Sequence, residues 1–203
     1  MPRNHTNRIY YKIMVAEINS WPQKRYKMIE ILRSRRSIRK YETKPIEGDK
    51  LDILKEAVLR SPSSRGNKPW YFIFIEDKGL IERLAQSKDL GSQVLSGAPL
   101  AIIFCADEGK SDVWIEDCSI ATTIAHLTAQ SMGLGSCWIQ IRKRMHDSNT
   151  TAEEYIATLL SLPDHLKVET ILAVGYPAEE KRPNPMESLN YNRISMNGFA
   201  GKG

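Results

Sequence analysis

Little in this sequence points to metal chemistry. Three cysteines (Cys105, Cys118, Cys137) and four histidines (His5, His126, His146, His165) are scattered through 203 residues, none at the close spacing of a zinc or haem site. The cysteine count is odd and no spacing pairs them, which argues against a disulfide framework. The expectation is three buried thiols in a reducing, cytoplasmic setting. Long apolar runs are also missing: nothing approaches the roughly 18 residues of a membrane span, so no membrane partner is expected. The opening "MPRNHTNRIYYKIMVAEINSW" has no continuous apolar core or small-residue cleavage site and does not read as a signal peptide. Internal repeats and low-complexity segments are absent.

The common nucleotide and hydrolase signatures fail as well. Gly133-Leu134-Gly135 would need a third glycine where Trp138 stands, and it lies between a helical and a strand pattern, the reverse of a dinucleotide-binding turn. Gly109-Lys110-Ser111 ends like a phosphate loop, but Phe104 occupies the place of its first glycine. No Gly-x-Ser-x-Gly elbow surrounds Ser136. His126, inside a long helical pattern, reads as a satisfied core or interface histidine rather than a base.

A hydrophobic content of 41% is enough for one sizeable core. The charge is uneven. Residues 1–40 hold 11 of the 29 basic residues and two of the 24 acidic ones, which leaves 18 against 22 beyond them. A basic end suits an anionic partner. Nucleic-acid binding is not expected, because no zinc finger, aromatic-basic RNA motif or helix-turn-helix accompanies the charge.

Periodicity predicts helices over 25–34, about 47–61, 79–87, 112–132 and from Thr151 to Leu160, and strands over 70–75, 98–107, 135–141 and 168–177. Ser111 or Asp112 is the expected cap of the long helix and Gly133 its stop; Thr151 with Glu154 forms a capping-box signal. The long helix is apolar or small around nearly its whole circumference, the pattern of a helix buried in a core or between subunits. The sum is one α+β domain over 25–183, with an N-terminal extension (1–24) and a tail (184–203) rich in Pro, Asn, Gly and Ser.

Two segments carry chemistry. "RRSIRKY" (35–41) places Arg35, Ser37 and Arg39 on one side if extended, a good anion grip, although a solvated basic turn accounts for the same spacing. "SPSSRGNKPWYFIFI" (61–75) runs a polar turn cluster straight into a strand: a loop end, or a polar loop shaped for a ligand. Taken in order with "GAPLAIIFCAD", "GLGSCWIQ" and "GYPAEEKRP", these segments resemble the FMN-dependent nitroreductase family over about residues 26–183.

That resemblance implies a nitroreductase-like α+β fold, with a central, mostly antiparallel sheet and the long helix at a homodimer interface. It implies two interfacial FMN sites, NADH or NADPH as donor, and a small-molecule acceptor such as a nitroaromatic or quinone. Arg35 would meet the phosphate, and Arg39 would lie near flavin N1 and O2, where a cation stabilises the charge of reduction. Ser37 and, less constant in role, Arg36 belong to the same motif. Pro62, Ser63, Ser64 and Arg65 match a loop that reaches the flavin held mainly by the other subunit. Asn67 stands one place later than the family's asparagine, after Gly66. Trp138, Ile139 and Gln140 match the strand beneath the ring, the amide of Gln140 facing N5. Lys181 and Arg182 match the phosphate-side cations. No side-chain acid or nucleophile is obligatory. The usual helical insertion before Trp114 is absent. Other chemistries known on this fold are dehalogenation, azoline oxidation and flavin fragmentation. A non-catalytic module binding through the basic N-terminus is the rival from another class.

Overall fold

The computed structural model describes residues 27–199. The expected 1–24 extension lies outside them. Five α-helices and four strands follow in the order α1 (Lys27–Ser34), α2 (Gly48–Leu59), β1 (Trp70–Ile75), α3 (Lys78–Leu84), β2 (Leu100–Asp107), α4 (Trp114–Ser131), β3 (Gly135–Gln140), α5 (Ala152–Leu160) and β4 (Leu166–Gly175).

The strands form one sheet in the order β1-β2-β4-β3, antiparallel at every pairing. β2 and β4 occupy the centre, which explains why they read as unbroken apolar runs: both faces are covered. On one face Leu54 and Val58 of α2 and Trp114, Cys118, Ala121 and Ala125 of α4 pack on Leu100, Ile102, Phe104, Leu172 and Val174. On the other, Ile81 and Leu84 of α3 and Ala152 and Ile156 of α5 pack on Ala101, Ile103, Ile139, Ile171 and Ala173. The long helix is thus one layer of a helix–sheet–helix sandwich rather than a hub.

The β2–β4 register slips between Phe104 and Cys105, which oppose Thr170 and Val168. Glu169 is the extra residue of this bulge. Its carbonyl accepts from both Ile141 N (3.2 Å) and Arg142 N (3.1 Å), which ends the β3 pairing just after Gln140. Its side chain is 4% exposed.

Several local expectations hold. Thr151 and Glu154 form the reciprocal capping box, and α2 stops before Ser61-Pro62. Gly133, at φ +77°, closes α4 with Leu134 N donating to Ala129 O at 2.9 Å. The start of α4 differs. Val113 holds the N-cap position with no side-chain cap, because the Ser111 hydroxyl is drawn inward to Asp117 Oδ2 at 3.1 Å. The apolar circumference of α4 is also only half covered: Asp117, Cys118, Ala121, Ala125 and Ala129 lie on the buried stripe, while Ile120 is 41% exposed.

The basic segment is neither a turn nor a full strand. Ser37 bridges Ser136 in parallel and Tyr41 bridges Pro177 antiparallel, so residues 37–41 run along the outer edge of β3 and across the end of β4. Two glycines make room. Gly135 and Gly175 face each other in the β3–β4 register. A Cβ on Gly135 would meet Ile38 at 2.8 Å, and one on Gly175 would meet Pro99 at 2.5 Å and Tyr41 at 3.0 Å.

Candidate functional site

The free edge of β3 is the natural start. Ser136 O accepts from Ile38 N at 3.0 Å, and Gln140 O accepts from the Lys88 ammonium at 2.9 Å. Both carbonyls point away from β4. Along an antiparallel strand alternate residues share that orientation, and a residue's N–H and C=O lie on the same side. The Gln140 N–H is therefore aimed outward too. Its side chain is fixed behind it: Gln140 Oε1 takes Trp138 Nε1–H (3.1 Å), and Nε2 donates to Arg142 O (3.2 Å) and Glu169 Oε1 (3.3 Å). The Ile139 side chain turns into the core at 1% exposure, so only its backbone lies at this edge.

The fold brings five sequence-predicted cations to that edge. The Lys181 ammonium donates to Ser37 O at 3.0 Å and pairs with Glu179 at 3.0 Å; Arg39 N donates to Glu179 Oε1 at 2.5 Å. Arg36 donates to the carbonyl of Arg182. Arg35 Nη1 lies 2.8 Å from His126 Nε2. A guanidinium can only donate, so Nε2 is the acceptor. The remaining ring proton is then on Nδ1, and it is donated to Ser136 Oγ. Burial and the adjacent Arg35 push the His126 pKa down to about 4, which keeps the ring neutral. Hydrogen bonding from the Arg39 amide, burial notwithstanding, lowers the Glu179 carboxyl. Burial and then Arg144 lower the Lys88 ammonium, a half-buried cation beside the strand.

The second predicted group sits elsewhere. Ser64 N donates to Asp117 Oδ1 at 2.8 Å, and Lys68 N donates to Ser63 Oγ at 2.9 Å. Arg65 (φ +51°) and Gly66 (φ +70°) make a left-handed turn beside exposed Pro62. Asn67 Nδ2 donates to Lys110 O at 3.1 Å. Asp117 and His126 are nine residues apart on α4, about 14 Å along its axis. The loop and the basic edge of one chain are therefore not brought together.

Other chemistries find little support here. Burial pushes the Cys105 thiol up to about 12 and raises Cys118 and Cys137, so none is poised as a nucleophile. All three are buried and free, as the sequence suggests. Among the described residues no cluster could hold a metal ion, and no helix is long and apolar enough to cross a membrane.

Sequence reasoning missed Lys88, Asp117, Ser136, Glu169 and Glu179 as structural partners of the site. Glu179 and Ser136 stand inside the quoted motifs "GYPAEEKRP" and "GLGSCWIQ"; Lys88, Asp117 and Glu169 have no local signature.

The residues fit a planar, anionic cofactor. A row of cations suits a phosphate and an electron-rich ring edge, and an outward N–H on a rigid strand can meet a ring nitrogen. Comparison with known proteins points the same way. The profile of the nitroreductase family matches residues 32–88 and 82–176. An FMN-dependent nitroreductase from Clostridium difficile R20291 superposes with a TM-score of 0.83 at 45% identity, over 84% of this chain and 99% of that one. A relative from Methanothermobacter thermautotrophicus, provisionally named an NADH dehydrogenase/NAD(P)H nitroreductase, is 31% identical over 83% of this chain and 86% of its own length. The FMN reductase [NAD(P)H] of Bacillus subtilis is 27% identical over 84% of this chain and 75% of its own.

Proposed function

The chain belongs to the nitroreductase family, and from that premise we propose that it is an FMN-dependent NAD(P)H oxidoreductase working as a homodimer with two interfacial sites. The observation that carries this reading is the free β3 edge, where the segments bearing Arg35, Arg39 and Lys181 gather at the Ser136 end and the outward amide of Gln140 lies further along the same strand. FMN held there would supply the redox chemistry, carrying two electrons from NADH or NADPH to a nitroaromatic, quinone or similar acceptor in a ping-pong cycle.

The chain's own residues bind, orient and tune. Arg35, with Ser37, Arg36, Lys181 and Arg182 around it, takes the phosphate. Arg39 would hold the N1 and O2 side of the ring and stabilise negative charge there. Trp138, Ile139 and Gln140 would underlie the ring, with the Gln140 N–H available to its N5. Pro62, Ser63, Ser64, Arg65 and Asn67 serve the site of the opposite subunit. Their distance from the basic edge of their own chain supports that division. The exposed Met28, Ile29 and Leu32 of α1 and Ile120 of α4 supply apolar surface for the second copy. Three free thiols agree with a cytoplasmic location. Residues 25–183 form the cofactor-binding unit, and 184 onward a surface tail whose described part is mostly exposed.

The test is an absorbance spectrum of purified protein followed by anaerobic NADH or NADPH. A flavin spectrum that bleaches is the expected result. A colourless protein that also refuses added FMN overturns the reading. Arg39→Ala should bind FMN yet show a lowered flavin midpoint potential, and an unchanged potential would remove Arg39 from its assigned role.

A further inference from the structure

The Arg35 guanidinium is held in place by an uncharged partner, which is unusual for a cation in a half-buried site. Arginines in such places are more often paired with carboxylates. A carboxylate at this position would neutralise the charge and compete with any incoming anion. The His126 ring accepts one hydrogen bond from Arg35 at 2.8 Å and leaves the guanidinium its full charge and its other donors. The ring is itself fixed. Its Nδ1–H is donated to Ser136, and Ser136 is 3% exposed on β3. Ser136 is also the residue that Ser37 bridges and whose carbonyl takes Ile38 N. Arg35, His126, Ser136 and Ser37 thus close a ring that joins α4, β3 and the basic segment.

We propose that His126 is the positioning residue of the anion grip: as a neutral acceptor it aims Arg35 at the cofactor phosphate without cancelling its charge, and Ser136 sets the orientation of the imidazole. This rests on the FMN reading above and adds to it a residue that touches neither flavin nor substrate.

Two flavins that differ only in the phosphate provide the test. The affinities of apoprotein for FMN and for riboflavin are measured by quenching of flavin fluorescence, for wild type and for Arg35→Ala, His126→Ala, His126→Gln and Ser136→Ala. A hydrogen bond to a charged group of this kind corresponds to an affinity change of about tenfold or more. His126→Ala should therefore weaken FMN about tenfold and leave riboflavin unchanged. His126→Gln, whose amide oxygen can accept from Arg35, should recover most of the loss. Ser136→Ala should shift FMN in the same direction by less, and it serves as the probe if His126→Ala does not fold. Combining His126→Ala with Arg35→Ala should add nothing to Arg35→Ala alone. Equal weakening of FMN and riboflavin, or a Gln variant no better than Ala, would overturn the proposal and leave His126 a packing residue. If Arg35→Ala retains wild-type preference for FMN over riboflavin, the phosphate reading of this corner fails first. If Arg35→Ala loses that preference while His126→Ala and Ser136→Ala keep it, only the role of His126 fails.

Discussion

The two ends of α4 solve one problem in opposite ways. Near its start, Asp117 reaches out and holds a neutral partner, the Ser64 amide, with the Ser111 hydroxyl on its second oxygen. About a turn and a half before its end, His126 holds a cation, Arg35. A buried carboxylate is satisfied by neutral donors and fixes a loop of left-handed residues. A neutral imidazole fixes an arginine and leaves its charge free. The difference shows what each end is for: the first anchors backbone, and the second orients a charge for something outside the chain.

The largest effect should come from the anchor. Asp117→Ala leaves a half-buried amide and a buried hydroxyl without their acceptor, and a loss of about 3 kcal/mol in urea unfolding is expected. Asp117→Asn, which can still accept from Ser64, should recover much of it. A loss in the alanine variant no larger than that of a surface substitution would mean that the loop is held by other means.

Next comes the seat of the basic segment. Gly135→Ala sets a methyl 2.8 Å from Ile38. Overpacking of this kind costs about 2 kcal/mol, and the displaced segment should carry Arg35 away from His126, so FMN affinity should fall with stability. A loss of stability alone would uncouple the seat from the grip.

The smallest effect separates the two ends by pH. His126 has its folded pKa depressed to about 4, below the ordinary value near 6.5. The unfolded chain therefore takes up the proton first. Stability from this residue is complete above pH 6.5 and is lost as the pH falls through 4, with a total on the order of 1–2 kcal/mol after allowance for partial exposure. His126→Gln should lack that pH dependence, so the wild-type minus variant difference should fall between pH 7 and 4.5. A difference that does not change between pH 7 and 4.5 would mean the ring is not held neutral.

Much of this architecture was legible because it is local. "WYFIFI" defines β1 to the residue, and the Thr151–Glu154 box appears where its spacing places it. The family motifs were also legible, and the family they indicate is the one that the profile matches. What stayed hidden depends on contacts between distant residues. Arg35 and His126 are 91 positions apart, and nothing around His126 marks it as a partner of an arginine. Ser111 looked like a cap until the buried Asp117 supplied a better acceptor. The basic motif looked like a turn or strand because its pairing partners, Ser136 and Pro177, lie far downstream in the chain. One-sided coverage of α4 was invisible for a related reason: small residues such as Ala121 and Ala125 read alike in a core and in an interface.

The bulge at Glu169 has the effect of a phase change in β4. Before it, Val168 faces the α3–α5 layer; after it, Ile171 and Ala173 face that layer, while Leu172 and Val174 face α4. An uninterrupted count of two would have put Val168 with Leu172. The extra residue lets one strand obey two incompatible alternations, and the seam falls where β3 lets go after Gln140. A single-residue deletion at the seam would remove the phase change, leaving Val168 on the same face as Ile171 and Ala173 by simple alternation. Its second consequence would be a change in where the neighbouring strand ends. The direction in which the last outward amide points is, in that sense, a matter of counting rather than of which side chain stands there.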